Sequence, residues 1–201
     1  MIMVTSKIEP LNAGVDPVLE AAKLVFCEMG YRASIDKVAQ RAGVARQTIY
    51  NRFGSKQALF ELTIELCIAE MLAPLAVDEG TVRERLMRFS LSFRARSLDP
   101  EGISAHRVLT SEAPRFPDLA RRHFELCIER TAKQLALTLE MAMQEGGLIQ
   151  ADAFEAAAYL LDTLSGYDRL KMFFGGEPPD PAGEEAKVER LVDRFLRAYR
   201  P

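Results

Sequence analysis

Between Tyr31 and Lys56 the chain carries two short helical patterns separated by a single glycine, and this block constrains the fold more than any other stretch. Ser34 is placed to cap a helix whose apolar residues Ile35, Val38, Ala39 and Ala42 fall at i, i+3, i+4 and i+7. Gly43 follows at once, a residue able to take the positive φ of a tight helix-ending turn. A second helix resumes near Ala45. Ile49 and Phe53 then face inward, which leaves Arg46, Gln47, Thr48, Tyr50, Asn51 and Arg52 outside. Small Ala39, one turn before Gly43, lets the two helices cross closely at the steep angle of a helix-turn-helix.

The outward set is suited to nucleic acid. Arg and Gln make paired hydrogen bonds to base edges, and Thr, Tyr and Asn donate to phosphate or base. Lys56, just after Ser55 opens the next helix, is placed for a phosphate. Taken singly, Arg46, Arg52 and Lys56 read as ordinary solvated charges, and Tyr50 could be a core aromatic. Taken together they are more specific, and Ile49 with Phe53 already fills the inward face, so Tyr50 is expected outside. Between Arg32 and Lys56 there are six basic residues and one acid, Asp36, in a chain of net charge −3. Residues 1–60 carry eight Lys/Arg against five Asp/Glu; residues 61–201 carry eighteen against twenty-four. Positive charge is concentrated where a duplex would dock, and the acidic remainder is not a DNA surface.

These residues resemble the DNA-binding domain of the TetR (tetracycline-repressor) family of bacterial transcription regulators. The match runs through Gly30-Tyr31, Ser34, Val38 to Val44, Thr48-Ile49-Tyr50, Phe53, Ser55-Lys56 and Leu59. The resemblance implies that Arg46, Gln47 and Tyr50 touch bases and that Ser34, Thr48, Tyr50, Arg52 and Lys56 hold phosphates, with Asn51 on the same face. Arg46 and Gln47 are bulkier than the residues often found there, so the docking mode transfers and the operator sequence does not. The stretch SEAPRFPDLARRHFE from Ser111 to Glu125 is similar to the regulatory domain of the AefR-like repressors within that family.

The rest of the chain reads as helical almost throughout, an all-α fold of about nine helices: a helix-turn-helix reader over residues 1–60 and a helical effector-binding and dimerisation body over 61–201. Asp16-Pro17 predicts a cap and first-turn proline for a helix burying Val18, Ala22, Val25, Phe26 and Met29 up to Gly30. Ser55 predicts a long connector carrying Leu59, Leu62, Leu66 and Ala69 until Pro74 stops it. Further helices are expected over 82–98, 103–111, 117–146, 152–174 and 183–199, with breaks at 78–80, 99–102, 113–117, 146–147 and 175–183.

No apolar run approaches the roughly 20 residues of a membrane span, and MIMVTSKIEP lacks a signal pattern, so a cytoplasmic protein is expected. Cys27, Cys67 and Cys127 lie far apart among apolar residues and predict buried thiols; neither a metal site nor a cofactor is read. The family resemblance implies a homodimer built from the last two long helices, for which Leu160, Leu164, Tyr167, Phe174, Leu191 and Phe195 are the candidate residues; two readers would then face two half-sites of a near-palindromic double-stranded operator. It also implies an unknown small-molecule effector, with Met71, Phe89, Phe93, His106, Arg107, Met141, Tyr159 and Tyr167 as candidate lining. Repression is the family's commonest mode and activation a minority one.

Two other classes stand beside this reading. An enzyme would need a convergent nucleophile and base, yet the chain has two histidines, His106 and His123, and His123 reads as solvent-exposed on a helix whose apolar face is elsewhere. A helical protein-interaction adaptor would explain the body but not the basic face from Arg46 to Lys56.

Overall fold

The computed structural model of the protein describes residues 16–77 and 79–201; the expected leaderless start at residues 1–15 and Asp78 of the first break lie outside the described residues. Helix α1 (Pro17–Met29) opens as its sequence predicts, the Asp16 carboxylate accepting from the Val18 amide at 2.9 Å. After a 3₁₀ turn at Gly30–Arg32, α2 (Ile35–Ala42) is capped by Ser34 and ends at Gly43, whose φ of 68° and ψ of 28° are left-handed. Helix α3 (Arg46–Phe53) follows, then α4 (Lys56–Ala76), where the Ser55 hydroxyl accepts from the Ala58 amide at 3.0 Å.

The body contains α5 (Val82–Ser97), α6 (Pro100–Glu112), α7 (Pro117–Phe124), a π-helical turn at Glu125–Glu129, α8 (Arg130–Gln144), α9 (Ala153–Phe173) and α10 (Glu184–Ala198), with a 3₁₀ turn at Pro181–Gly183 before α10. Because α7, the π turn and α8 run on as one rod, the described residues form an all-α layout of nine rods with no strand among them.

Three local expectations are corrected. Pro74 does not stop α4, which continues to Ala76: the proline removes one hydrogen bond near the helix end, while burial of Leu72 and Leu75 on either side of it outweighs that loss. Helix α6 begins at Pro100, three residues early, because Asp99 accepts from the Gly102 amide at 2.7 Å. Asp99-Pro100 is the same cap-plus-proline signal as Asp16-Pro17. Met29, expected inside, is exposed.

Two large apolar clusters form beside a small one of Leu98, Ile103 and Met172. In one, α1 packs on α2, α3 and the start of α4 through Val18, Ala22, Val25, Ile35, Val38, Ile49 and Leu59, with the Phe26 and Phe60 rings edge-to-face at 5.1 Å. The other runs from Ile68 on α4 through α5, α8 and α9 to Phe195 on α10. Helix α4 supplies both and therefore links them. Its buried line is Leu59, Phe60, Thr63, Cys67, Ile68, Met71, Leu72 and Leu75; Leu62 and Leu66 are half-buried and Ala69 is exposed, because two bodies grip the helix from different sides.

Helix α6 braces the reader directly. Arg32 forms an ion pair with Glu112, and a Cβ at Gly30 would lie 3.1 Å from Val108 Cγ1. Gly30 has φ 62° and ψ −164°, a region essentially restricted to glycine, whereas a Cβ at Gly43 would meet nothing within 4 Å. Gly43→Ala is therefore expected to cost about 1–2 kcal/mol through backbone strain alone. Gly30→Ala should cost more, adding a steric contact to a strain of about 1–3 kcal/mol. Urea midpoints of the two variants, if reversed in order, would show that α6 does not seat on Gly30.

Candidate DNA interface and effector cavity

Helix α3 presents Arg46, Gln47, Thr48, Asn51 and Arg52 to solvent while Ile49 anchors it in the reader core at 1% exposure. The face is held in place by internal contacts. Arg46 reaches Asp36 on α2 at 3.3 Å and the Tyr50 hydroxyl at 3.5 Å; the bond to Tyr50 and then the Asp36 charge raise its already high pKa. The Gln47 amide donates to Asn51 Oδ1 at 2.8 Å, presenting the two side chains as one polar surface. Arg52 is paired with Asp16, the cap of α1, and lies over the Phe53 ring. The Lys56 ammonium sits 4.4 Å from the centre of the Tyr31 ring, and partial burial lowers its pKa. Ser34 is exposed at the opening of α2, its hydroxyl already accepting from Lys37. Tyr50, expected outside, is half-buried: its ring packs on the reader core, while its hydroxyl and ring face also meet the exposed Arg46 guanidinium. The Arg46–Asp36 pair is exposed on both sides and weak, so a phosphate or base edge can replace Asp36 at small cost, whereas Asp16, the partner of Arg52, is half-buried.

A cavity of about 180 Å³ lies where reader and body meet. One wall is Phe26 of α1 with Phe60 and Met71 of α4; the others come from Phe93 on α5, His106 on α6, His123 on α7, Cys127 on the π turn and Arg169 on α9. His123, Cys127 and Thr131 are four residues apart and line the same wall across the wider π turn.

The histidines form a directed chain. The Gly102 carbonyl can only accept, so His106 Nδ1, 3.0 Å away, carries the proton; His106 Nε2 then accepts from His123 Nε2 at 3.0 Å, and His123 Nδ1 accepts from the Cys127 thiol at 3.6 Å. Every member is neutral. Burial first, then the Arg169 charge, pulls His106 down to about 4; burial, then His106 and Arg169, pulls His123 down to about 3; burial pushes Cys127 up to about 12. Cys127 is thus held as a thiol, and Cys67 is buried on the same cavity; the side chain of Cys27 lies outside those described. Among the described residues no group of three or more His, Cys, Asp and Glu side chains is placed to hold a metal ion.

Sequence reasoning and tertiary placement part company in the body. Met71, Phe93 and His106 line the cavity. Phe89, at 0% exposure, belongs to the body core, and Arg107 is exposed, donating instead to the Met172 carbonyl. Met141, Tyr159 and Tyr167 point outward. Among the candidate interface residues, Leu160, Leu164 and Phe195 are fully buried in the subunit's own core and are not available to a second copy; Leu191 is half-buried, and Tyr167 and Phe174 are 82% and 85% exposed. His123, expected in solvent, is half-buried at the cavity, and the apolar Phe124 beside it is the exposed residue. Phe26, Phe60 and Arg169 are not among the residues expected from sequence to line the cavity; Arg169 sits between Asp168 and Lys171, and nothing in that run marks it as inward-facing.

Comparison with known proteins agrees with the fold. A model of the bacterial regulatory proteins of the TetR family matches residues 18–63, and one of the AefR-like transcriptional repressor C-terminal domain matches residues 84–201. The chain is 29% identical over 201 residues to the HTH-type transcriptional regulator BetI of Rhizobium meliloti (strain 1021), covering 93% of this chain and 94% of that protein. Among solved structures it is similar to the flavonoid-responsive regulator FrrA, at 31% identity and TM-score 0.68, covering 92% of this chain and 96% of that one. A TetR-family regulator from Mesorhizobium loti MAFF303099 shares the fold at TM-score 0.77 and 23% identity, covering 92% and 96%.

Proposed function

This chain belongs to the TetR family of bacterial transcription regulators, with an AefR-like C-terminal domain, and from that premise we propose that it is a ligand-responsive repressor that binds a near-palindromic operator as a homodimer. DNA binding is its function; the repressor sense, the dimer and the effector are the proposal. The observation that carries it is the outward face of α3, where Arg46, Gln47, Thr48, Asn51 and Arg52 stand exposed on a helix seated by Ile49. In this reading Arg46, Gln47 and the Tyr50 hydroxyl contact bases, while Ser34, Thr48, Asn51, Arg52 and Lys56 fix the register on the backbone.

The division into a reader to about residue 60 and a body beyond it is supported by the two apolar clusters that share α4. A second copy would cover the outward face of α9, where Tyr167, Leu170 and Phe174 leave a large apolar surface in water. None of the described helices is long and apolar enough to cross a membrane, which fits action in the cytoplasm. The cavity fits an effector site because its walls include α1 and α4 of the reader: a ligand that binds one reader orientation better shifts the dimer toward or away from the operator by that difference in affinity. FrrA, with its flavonoid response, makes a small organic effector a reasonable class.

Selection of bound duplexes from a random library tests the reading, and an inverted repeat is the expected product. Lys56→Ala should weaken binding to all duplexes and reduce its salt dependence, while Gln47→Ala should flatten the selected sequence with a smaller loss of nonspecific affinity. Unchanged selected sites for Gln47→Ala would remove it from base reading, and no enrichment at all would favour the adaptor.

A further inference from the structure

The cavity has a charge that its own residues do not neutralise. Three cations line it, Lys23, Arg96 and Arg169, against one carboxylate, the solvent-exposed Asp162. Lys23 is engaged by Glu70 at 2.8 Å and Arg96 by Asp99 at 3.6 Å. Arg169 differs: among the described residues no carboxylate lies within 4.0 Å of it, and its guanidinium lies over the face of Phe173, 5.6 Å from the ring centre. The neighbouring His106, His123 and Cys127 form a neutral chain whose protons are already committed, so they offer no counter-charge. Ser97, which also lines the cavity, has a buried hydroxyl with no hydrogen-bond partner among the described residues. Phe26, Phe60, Ile68 and Met71 give the cavity apolar lining.

We propose that the effector is a small amphipathic carboxylate, its anion taken by Arg169 and the Ser97 hydroxyl and its apolar body by the Phe26, Phe60, Ile68 and Met71 wall. The size agrees: about 180 Å³ is slightly more than the roughly 150 Å³ cavity known to hold a benzene ring, so one ring or a short chain plus a carboxylate fits. Burial lowers the Arg169 pKa, and a carboxylate seated against it would restore what the fold takes away. A planar guanidinium accepts a carboxylate through two parallel hydrogen bonds, a geometry that a neutral amide of the same shape cannot match.

This inference rests on the cavity being the effector site, and the test separates the two. Benzoate, phenylacetate and hexanoate are each titrated calorimetrically into the full-length protein beside their primary amides. At least one acid is expected to bind about tenfold or more tighter than its amide. Arg169→Met, which keeps the apolar stem, should abolish that preference, and Arg169→Lys should keep part of it. The acid-against-amide comparison needs no variant to fold. Equal binding of acid and amide, binding of none of the three acids, or an acid preference that survives in Arg169→Met would each overturn the proposal. Release of a selected operator duplex is scored separately: an acid that binds through Arg169 without releasing DNA upholds the anion site and removes the ligand-responsive reading.

Discussion

Arg94→Met is expected to lower stability by about 3–5 kcal/mol, the range for removing one partner of a buried ion pair. Arg94 is 2% exposed on α5. Its Nε and Nη2 donate to the two Glu184 oxygens at 2.7 and 2.8 Å, Nη2 also to Asp168 at 2.8 Å, and Nη1 to the Leu164 carbonyl. One side chain thus ties α5, α9 and the start of α10. Burial opposes the charge on both partners, but the pair wins: Arg94 is held above its ordinary pKa by Glu184 and Asp168, and Asp168 below its own by Lys187 and Arg94. Removing the guanidinium leaves Glu184 with the desolvation and without the partner. Arg83, by contrast, pairs with Glu189 and Asp193 between α5 and α10, but in water at 42% exposure, so Arg83→Met should cost less than about 1 kcal/mol. Equal losses in the two variants by urea unfolding would refute the distinction.

Acid should destabilise the protein through the histidine pair well before the carboxylates protonate. Both rings have folded-state pKa values below the ordinary 6.5, about 4 for His106 and about 3 for His123. Above pH 6.5 neither the folded nor the unfolded chain holds these protons, and the pair has no effect. As pH falls below 6.5 the unfolded chain takes up protons that the folded one refuses, so stability falls, by about 1.4 kcal/mol per pH unit for each ring, until the folded rings protonate near pH 4 and 3. By pH 5 that is about 2 kcal/mol per ring. Unfolding of the wild type and of His106→Gln/His123→Gln between pH 7 and 5 should give diverging curves, the wild type steeper. Parallel curves would mean that the rings titrate freely in the folded protein and that the neutral chain from Cys127 to Gly102 does not exist.

Most of the reader was legible without coordinates because its signals are local. Caps at Asp16, Ser34 and Ser55, the Gly43 turn and the Ile35-Val38-Ala39 stripe act over three or four residues, within the range of a helix turn. The outward face of α3 follows from the same periodicity once Ile49 is placed inside. The body was legible as helices and not as a site. Periodicity marks apolar faces but cannot tell which belongs to the subunit's own core, so Leu160, Leu164 and Phe195 were assigned outward and are inside. The π turn at Glu125–Glu129 changes the register of its rod, and His123 consequently turns inward while Phe124 turns out.

What the sequence by itself determined is the set of elements and the chemistry of the reading helix: all-α rods, their caps, and a basic, hydrogen-bonding face concentrated before residue 60. Only the tertiary structure decided what the interior holds. The cavity draws Phe26, Phe60, His106, His123 and Arg169 from five helices, and the Arg94 brace joins residues 74 and 90 positions apart in the chain. Burial, desolvation and charge pairing at such sites are set by which rods meet, and helix periodicity carries no information about a residue's neighbours on other rods.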